Sequence, residues 1–515
     1  LLFTLNPHRG LEATNEKQVA HDLAEFKSGL SSDDIANLVA RTSDLVNYQK
    51  SEDSPAALAT IPLLDLKDIE TKVDWFEVEK LRVAWVPYLQ FETFTNNITY
   101  MRLFFDLRVL NEEQLPYANL LAVLLGSIGT ESYTFGELDQ ALDINLGGFN
   151  TYLSTYLEER NDDLLVPKFV LSTKVLSKNQ PKAFELSEEI LNHSLLGDSE
   201  RIQDVLTRHQ SRLSARVKRD GLGYARTRLF SYSTKSGMFD ELTGGLEYYW
   251  FITDLVDNYE TKQNMLIEEL QDVANLLFTR KNLIASVTDS EQGLKSFKKN
   301  LKKFAKQLPR KRVGFIPWEL QSSQKNEGFM AASKVQYVLQ GGNFKQLGYD
   351  WNGQIRVLNQ ILSREWLTNQ VRVIGGAYGG FARFSPSGHV YFGSYRDPNL
   401  SETLENYAKT PEFLAELDLN TEEITRFIIG TISSMDRPQT PSQRGGVAVN
   451  RYFSKMTQEQ LQSERDAVLS TNLSDIKAYE KMITDILNNS KICVYGNEAK
   501  LKQNEKIFEK LILLD

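Results

Sequence analysis

Residues 371–398 read VRVIGGAYGGFARFSPSGHVYFGSYRDP, and how this stretch is read decides the fold. Two apolar, β-branched segments, 371–374 and 390–394, flank a glycine run and a turn at 386–388. The pattern predicts two strands joined by a loop. Arg372 and Tyr378 lie six residues apart, and an even spacing puts both on one face of an extended strand. Gly375, Gly376, Gly379 and Gly380 surround the tyrosine, and glycines inside a strand mark a bulge or a place where another backbone comes close. The expectation is an arginine and a phenol aimed one way from an approachable strand. The plain alternative is a glycine-rich hairpin with a surface arginine and a half-buried tyrosine. Six residues of straight strand span about 20 Å, so the glycines are expected to bend the chain if the two side chains are to meet. A dinucleotide fingerprint is excluded. The glycine spacing is not G-x-G-x-x-G, and Pro386 and Gly388 prevent a helix from following.

Around this stretch the chain is that of an ordinary globular protein of 515 residues, 41% hydrophobic and 25% charged, with a net charge of −9. The acidic balance argues against nucleic-acid binding and suits basic peptide ligands. One cysteine, Cys493, excludes an intrachain disulfide and fits a buried position in a reducing compartment. No stretch approaches a membrane span. The chain opens Leu1-Leu2-Phe3, without Met or a targeting pattern, and is expected to be a fragment.

Residues 15–50 read as a helical hairpin. Asn15 with Gln18 suggests a capping box, Val19, Leu23, Phe26 and Leu30 form one apolar face, and Gly29 breaks the helix. Ser31 to Asp34 caps a second helix carrying Ile35, Leu38, Val39, Leu45 and Val46. A turn-rich linker follows at 54–62. Strands are then expected at 98–107, 149–156, 169–176 and 282–287, with helices at 116–128, 181–195 and through most of 199–278. The order returns downstream: a strand at 335–339, a helix at 352–368, glycines before a strand, a strand at 390–395, helices through 488, and a strand at 491–495. Two copies of one α+β unit explain this, with Gly147-Gly148 equivalent to Gly375-Gly376. Between the copies, 294–312 carries the stripe Leu294, Phe297, Leu301, Phe304 and Leu308 amid nine Lys/Arg residues. In an acidic chain it reads as a surface helix docking one domain on another rather than a membrane or nucleic-acid binder.

Arg372, the Gly-Gly-Ala-Tyr-Gly run at 375–379 and Ser394-Tyr395-Arg396-Asp397-Pro398 resemble the C-terminal half of the presequence-protease and falcilysin branch of the insulinase (pitrilysin) family. Those enzymes are zinc metallopeptidases with an inverted H-x-x-E-H motif. The resemblance runs, more weakly, over the whole chain. It implies an α+β fold of two homologous insulinase-family (mitochondrial-processing-peptidase-like) domains, each a mostly antiparallel sheet with packed helices, after a helical hairpin linker. The implied division is 1–75, 76–292 and 293–515. It further implies a clamshell whose other, N-terminal half carries zinc and the general base, with unfolded peptides as substrates. Arg372 and Tyr378, with Gly375 and Gly376, then meet the substrate backbone and its transition state, and the hairpin acts as hinge.

The departure from the family is equally plain. The five histidines, His8, His21, His193, His209 and His389, form no H-x-x-E-H register. At the corresponding helix Asn119, Ala122 and Val123 stand where the family has two histidines and a glutamate. No metal and no cofactor is therefore expected in this chain, and no peptide cleavage by it alone. No nucleic-acid or membrane partner is expected, and a soluble location in bacterial cytoplasm or an organellar matrix is implied. The competing reading is a degenerate, non-catalytic family member with a structural or peptide-binding role.

Overall fold

The computed structural model describes residues 11–50, 54–58, 60–62, 64–321 and 325–514. The chain separates into two compact units, 1–65 and 66–515. In the first, two successive helices, Leu11–Ser28 and Ser32–Lys50, stand where the hairpin is expected. The break falls at Gly29, whose N–H reaches back to Glu25 O (3.2 Å). Ser31 and Asp34 then bond each other's backbone N–H reciprocally (3.0 and 3.1 Å), a capping box that starts the second helix. Residue 15 is not a cap, because the helix already begins at Leu11. The side chains of Asn15 and Val46, and residues 1–3, lie outside the described residues. The apolar side chains Val19, Leu23, Phe26, Leu38, Val39 and Leu45 are exposed.

The second unit is built on two six-stranded sheets. The strands are β1 (Glu79–Val83), β2 (Val86–Glu92), β3 (Ile98–Asp106), β4 (Gly148–Leu157), β5 (Leu165–Leu176) and β6 (Leu283–Asp289), then β7 (Glu327–Ala331), β8 (Tyr337–Asn343), β9 (Gly379–Phe384), β10 (His389–Tyr395), β11 (Lys491–Asn497) and β12 (Lys510–Leu513). Their orders are β1-β2-β6-β3-β5-β4 and β12-β7-β11-β8-β10-β9. Five strands therefore run in the same order in both sheets, each with one parallel pair (β2 with β6, β7 with β11) followed by antiparallel neighbours. Only the outermost strand differs. In the first sheet β1 hairpins antiparallel onto β2, whereas in the second the terminal β12 lies parallel to β7. The alternation along β3 shows why these residues make a sheet: Met101, Leu103 and Phe105 bury against the helix layer, and Phe104 points to the other face.

That other face is closed by an exchange. Helix Pro441–Phe453, from the second half, lays Ala448, Val449 and Phe453 on Leu89, Phe104, Val166 and Val170 of the first sheet. Helix Gly221–Ser231, from the first half, packs on β8 and β11. Each crossing is made close by a glycine. A Cβ on Gly221 would lie 2.5 Å from the Tyr495 ring and 2.7 Å from that of Tyr337, and one on Gly445 would lie 1.8 Å from Thr288 Oγ1. The segment before β1 is strapped to the second half. Arg465, nearly fully buried, donates to Glu70 O (2.9 Å) and pairs with Asp436, while Gln462 bonds both Val73 N–H and Thr71 O.

Three expectations are corrected here. Residues 371–374 are not a strand. The Gln354–Ile361 helix continues as a π-wound helix, Leu362–Ile374, because Ile355, Leu358, Ile361, Leu362, Leu367 and Val371 keep one buried face. Packing of that face overrides the β-branched local preference of Val-Arg-Val-Ile. The basic helix, Glu291–Gln307, does not bridge the halves. Its stripe sits on the first half's own helix Gln180–His193, with Phe184 5.3 Å from the Phe297 ring and 5.6 Å from that of Phe304. It ends at Gln307 rather than 312, since Pro309 cannot continue it. Finally, Gly147-Gly148 and Gly375-Gly376 are not equivalent: Gly147 N–H opens the ladder of its edge strand by donating to Lys174 O (2.7 Å), and the residue doing this in the second sheet is Tyr378, to Tyr395 O (3.0 Å).

Candidate functional site

The π-wound helix ends in a glycine cap. Gly375 N–H bonds Gln370 O (2.9 Å), Gly376 N–H bonds Arg372 O (3.0 Å), and Ala377 N–H reaches six residues back to Val371 O (3.1 Å). Gly376 takes φ +79°, a conformation in which a side chain is strained. This turn, rather than a bent strand, carries the chain from Arg372 to Tyr378. The Arg372 guanidinium carbon lies 5.9 Å from the Tyr378 ring centre. The two side chains meet as expected, but strand parity is not the cause. Both are exposed, Tyr378 at 68%, and Val373 and Ile374 beside them are exposed at 69% and 71%.

The turn after β10 holds this helix end in place. Asp397 is fully buried and accepts from Asn399 N–H (2.9 Å) and Thr403 Oγ1 (2.7 Å). Burial raises its pKa, and those donors oppose the rise. Asn399 Nδ2 donates to Gly375 O (2.6 Å), joining the turn to the helix cap. Gln336 pairs with Asp397 through the backbone and donates to Pro398 O (3.1 Å). The residue before the aspartate, Arg396, is thereby held at φ +50°, unusual outside glycine, with its side chain exposed. Its guanidinium stands 5.7 Å from the Tyr395 ring, and Tyr395 stands edge-on to Tyr378 at 5.9 Å. The pKa of Arg396 is raised, first by a hydrogen bond to Tyr337.

The arrangement is thus two exposed arginines on either side of two tyrosine rings, on a frame of buried polar bonds. A guanidinium offers several fixed donors to peptide carbonyls, and a phenol can donate to an oxygen that gains negative charge. Arg396 and Tyr395 stand out in the sequence only as part of a Tyr-Arg-Asp-Pro pattern. The positive φ that turns Arg396 outward depends on Asp397's distant partners.

The positions that resemble a metal motif do not fit a metal. Ala122 is buried and its carbonyl accepts from Thr151 Oγ1 (2.6 Å), Val123 is half-buried against the core, and Asn119 hydrogen-bonds Tyr248. Among the described residues, no group of three or more His, Cys, Asp or Glu side chains can hold a metal ion. His209 meets Tyr248 (3.1 Å) and burial lowers its pKa to about 4. His389 lies stacked on Phe230 (4.1 Å) with Thr234 Oγ1 at 2.9 Å. Cys493 is buried, as expected. Among the described residues no helix is long and apolar enough to cross a membrane.

Residues 5–255 match the family described as associated with peptidase M16, subfamily C, and residues 326–495 match the PreP C-terminal domain. The chain is 32% identical over 510 residues to Protein HypA of Clostridium perfringens, covering 99% of this chain and 52% of that protein. It is 31% identical over 485 residues to presequence protease 1, chloroplastic/mitochondrial, of Arabidopsis thaliana, covering 94% of this chain and 44% of that protein. The chain spans about half the length of the curated relatives it matches. Among solved structures, the peptidase M16 inactive domain from Pseudomonas fluorescens aligns with a TM-score of 0.54 at 15% identity, over 82% of this chain and 98% of that one. A protease from Helicobacter pylori aligns at 0.55 and 14% identity, over 82% and 100%. These two likenesses concern the fold.

Proposed function

The chain belongs to the presequence-protease-like M16 peptidases, and from that premise we propose that it is the C-terminal, metal-free half of a zinc metalloendopeptidase that degrades short unfolded peptides. Its partner is the other half of the same longer protein, which would supply zinc and the proton-handling glutamate. This half supplies chamber wall and substrate contacts. The observation that carries the reading is the exposed Arg372–Tyr378 pair, 5.9 Å apart, on a helix end whose cap is bonded to the 395–399 turn.

In this reading the Arg372 guanidinium donates to backbone carbonyls of an extended peptide and fixes its register. Tyr378 donates its hydroxyl proton in a hydrogen bond to the carbonyl oxygen as negative charge gathers there. Gly375 and Gly376 carry no side chains and leave the peptide room to lie against the helix cap. A binding-only descendant has use for the arginine but none for the phenolic hydroxyl, so the hydroxyl is what the test must remove.

The test is steady-state hydrolysis of an unstructured peptide by the longer protein. Tyr378→Phe is expected to lower kcat on the order of 10²-fold with the fold unchanged. Arg372→Ala is expected to lower kcat/KM by a similar factor, on the order of 10²-fold, by freeing the peptide to misorient. Full activity in both variants would overturn the reading and leave a surface arginine beside a tyrosine.

A further inference from the structure

A second site lies away from Arg372 and Tyr378. At one end of the first sheet's face that helix Pro441–Phe453 covers, between that sheet, the C-terminal turn of the helix and the strand entry at 75–78, is a cavity of about 630 Å³. Five cations line it: Lys80, Arg108, Lys168, Arg451 and Lys455. Three carboxylates, Glu77, Asp106 and Glu158, stand among them, so the wall carries two positive charges in excess in a chain whose net charge is −9.

The pairing shows where the excess falls. Lys168, 4% exposed, and Arg108 share one carboxylate, Asp106, which Arg108 meets with two hydrogen bonds (2.9 and 2.8 Å) and Lys168 with a third. Lys455 pairs with Glu158. Glu77 accepts from Trp75 Nε1 (3.4 Å). Arg451 spends its donors on backbone carbonyls of Asp74 (3.1 Å) and Phe76 (3.4 Å).

Four of the five cations also lean on aromatic rings. Lys80 stands 5.2 Å from Tyr452, Arg108 4.4 Å from Phe315, Lys168 5.4 Å from Phe453, and Arg451 4.7 Å from Trp75. The lining therefore sets cations beside aromatic and aliphatic side chains, and the cavity's volume falls in the range of small-molecule sites.

We propose that this cavity binds a carboxylate carried on an aromatic or branched apolar body, with the carboxylate at Lys168, Arg108 and Lys80 and the body among the rings. The ligand is either a free organic acid or the C-terminal end of a short peptide. Burial pulls the pKa of Lys168 down, with Asp106 opposing and Arg108 adding to the fall, so a second anion there restores balance to an ammonium that one shared carboxylate under-neutralises. This inference stands apart from the peptidase reading and needs no catalysis to be tested.

The experiment is calorimetric titration of the 515-residue chain with three probes: N-acetyl-Leu-Phe as the free acid, the same compound as its C-terminal amide, and phenylpropionate. The free acid is expected to bind with Kd below about 1 mM and the amide at least about 10-fold more weakly. Phenylpropionate binding as well as the dipeptide supports the free-acid source, and phenylpropionate binding clearly more weakly supports the peptide end. Lys80→Ala, at an exposed position, is expected to weaken the acid about 10-fold without disturbing the fold, and Lys168→Met to weaken it further. Because Lys168→Met removes a buried partner of Asp106 and can itself unfold the sheet, the Lys80 variant and the acid–amide pair decide. Equal binding of acid and amide, no binding of either acid, or full affinity in Lys80→Ala would overturn the proposal.

Discussion

The two sheets of the second unit share five strands in one order and differ in what opens their edge strands. In the first, helix Phe135–Asn145 ends at the buried Leu146, and Gly147 makes the opening hydrogen bond. In the second, a π-wound helix ends in a glycine cap, and Tyr378 makes it. Ile144 and Ile374, near the ends of the two helices, are equally exposed at 71%. The frame is thus common to both copies, and only the second is equipped with an arginine and a phenol. Topology sets where a site can be built, and a few residues at a helix end decide whether one is.

The sharpest way to break this comparison is chemical. Tyr378→Phe should cost the longer protein on the order of 10²-fold in kcat, about 2.7 kcal/mol. Asn145→Ala, beside the matching turn of the first copy, should leave the rate within about twofold. Peptide-hydrolysis rates of the two variants side by side make the check.

The crossing helices give the next effect. Gly221→Ala drives a methyl into two tyrosine rings and should destabilise by about 1–3 kcal/mol, read as a lowered unfolding midpoint. Gly445→Ala meets Thr288 Oγ1 at 1.8 Å, on a short β-branched side chain that has little room to turn away, and should cost at least as much. If either variant keeps the parent's unfolding midpoint, that crossing is not the close packing described here.

A pH-dependent effect sharpens the picture of how the halves are joined. Glu241 is fully buried beside Arg228, which also pairs with Glu327 of the second sheet, and burial raises the Glu241 pKa from 4.5 to about 7. A raised folded pKa means the folded state holds its proton while the unfolded state releases it. The stability contribution is therefore present below pH 4.5 and lost as pH rises to about 7. In chemical unfolding at two pH values, Glu241→Gln should match the parent near pH 4.5 and exceed it above about pH 7. A uniform shift at all pH values would contradict the assignment.

The smallest expected change is a gain. Gly430 lies inside helix Thr421–Met435, and apart from the helix's own backbone nothing stands within 4 Å of the place an added methyl would take, so Gly430→Ala should stabilise by about 0.5–1 kcal/mol in the same unfolding measurement. Against Gly445 on the neighbouring helix, it separates glycines that allow contact from glycines that do not.

Much of this is legible in the sequence. Alternation at 98–107 and the apolar run at 390–395 mark strands, the stripe within 294–312 marks a helix, and the return of the same order marks a repeated α+β unit. What is not legible depends on distant partners. Val-Arg-Val-Ile at 371–374 has strand-like composition, and only the buried face it continues from Ile355 makes it helical. The basic helix reads as a connector by its charges, but Phe184 and Tyr88, far away in sequence, decide where its stripe goes. Arg372 and Tyr378 stand out by their resemblance to a family motif, while a helix cap, not the parity of a strand, brings them together. Arg396 owes its exposed position to Asp397, Thr403 and Asn399, a network no local pattern announces.

The central claim is that the second copy, not the first, faces the substrate. It is tested most directly by placing a photoreactive phenylalanine analogue at position 374 or at position 144, two sites of equal exposure, in the longer protein and irradiating each with an unstructured peptide. Peptide adducts are expected from position 374 and none above background from position 144. Equal adducts from both, or adducts from position 144 alone, would contradict the claim.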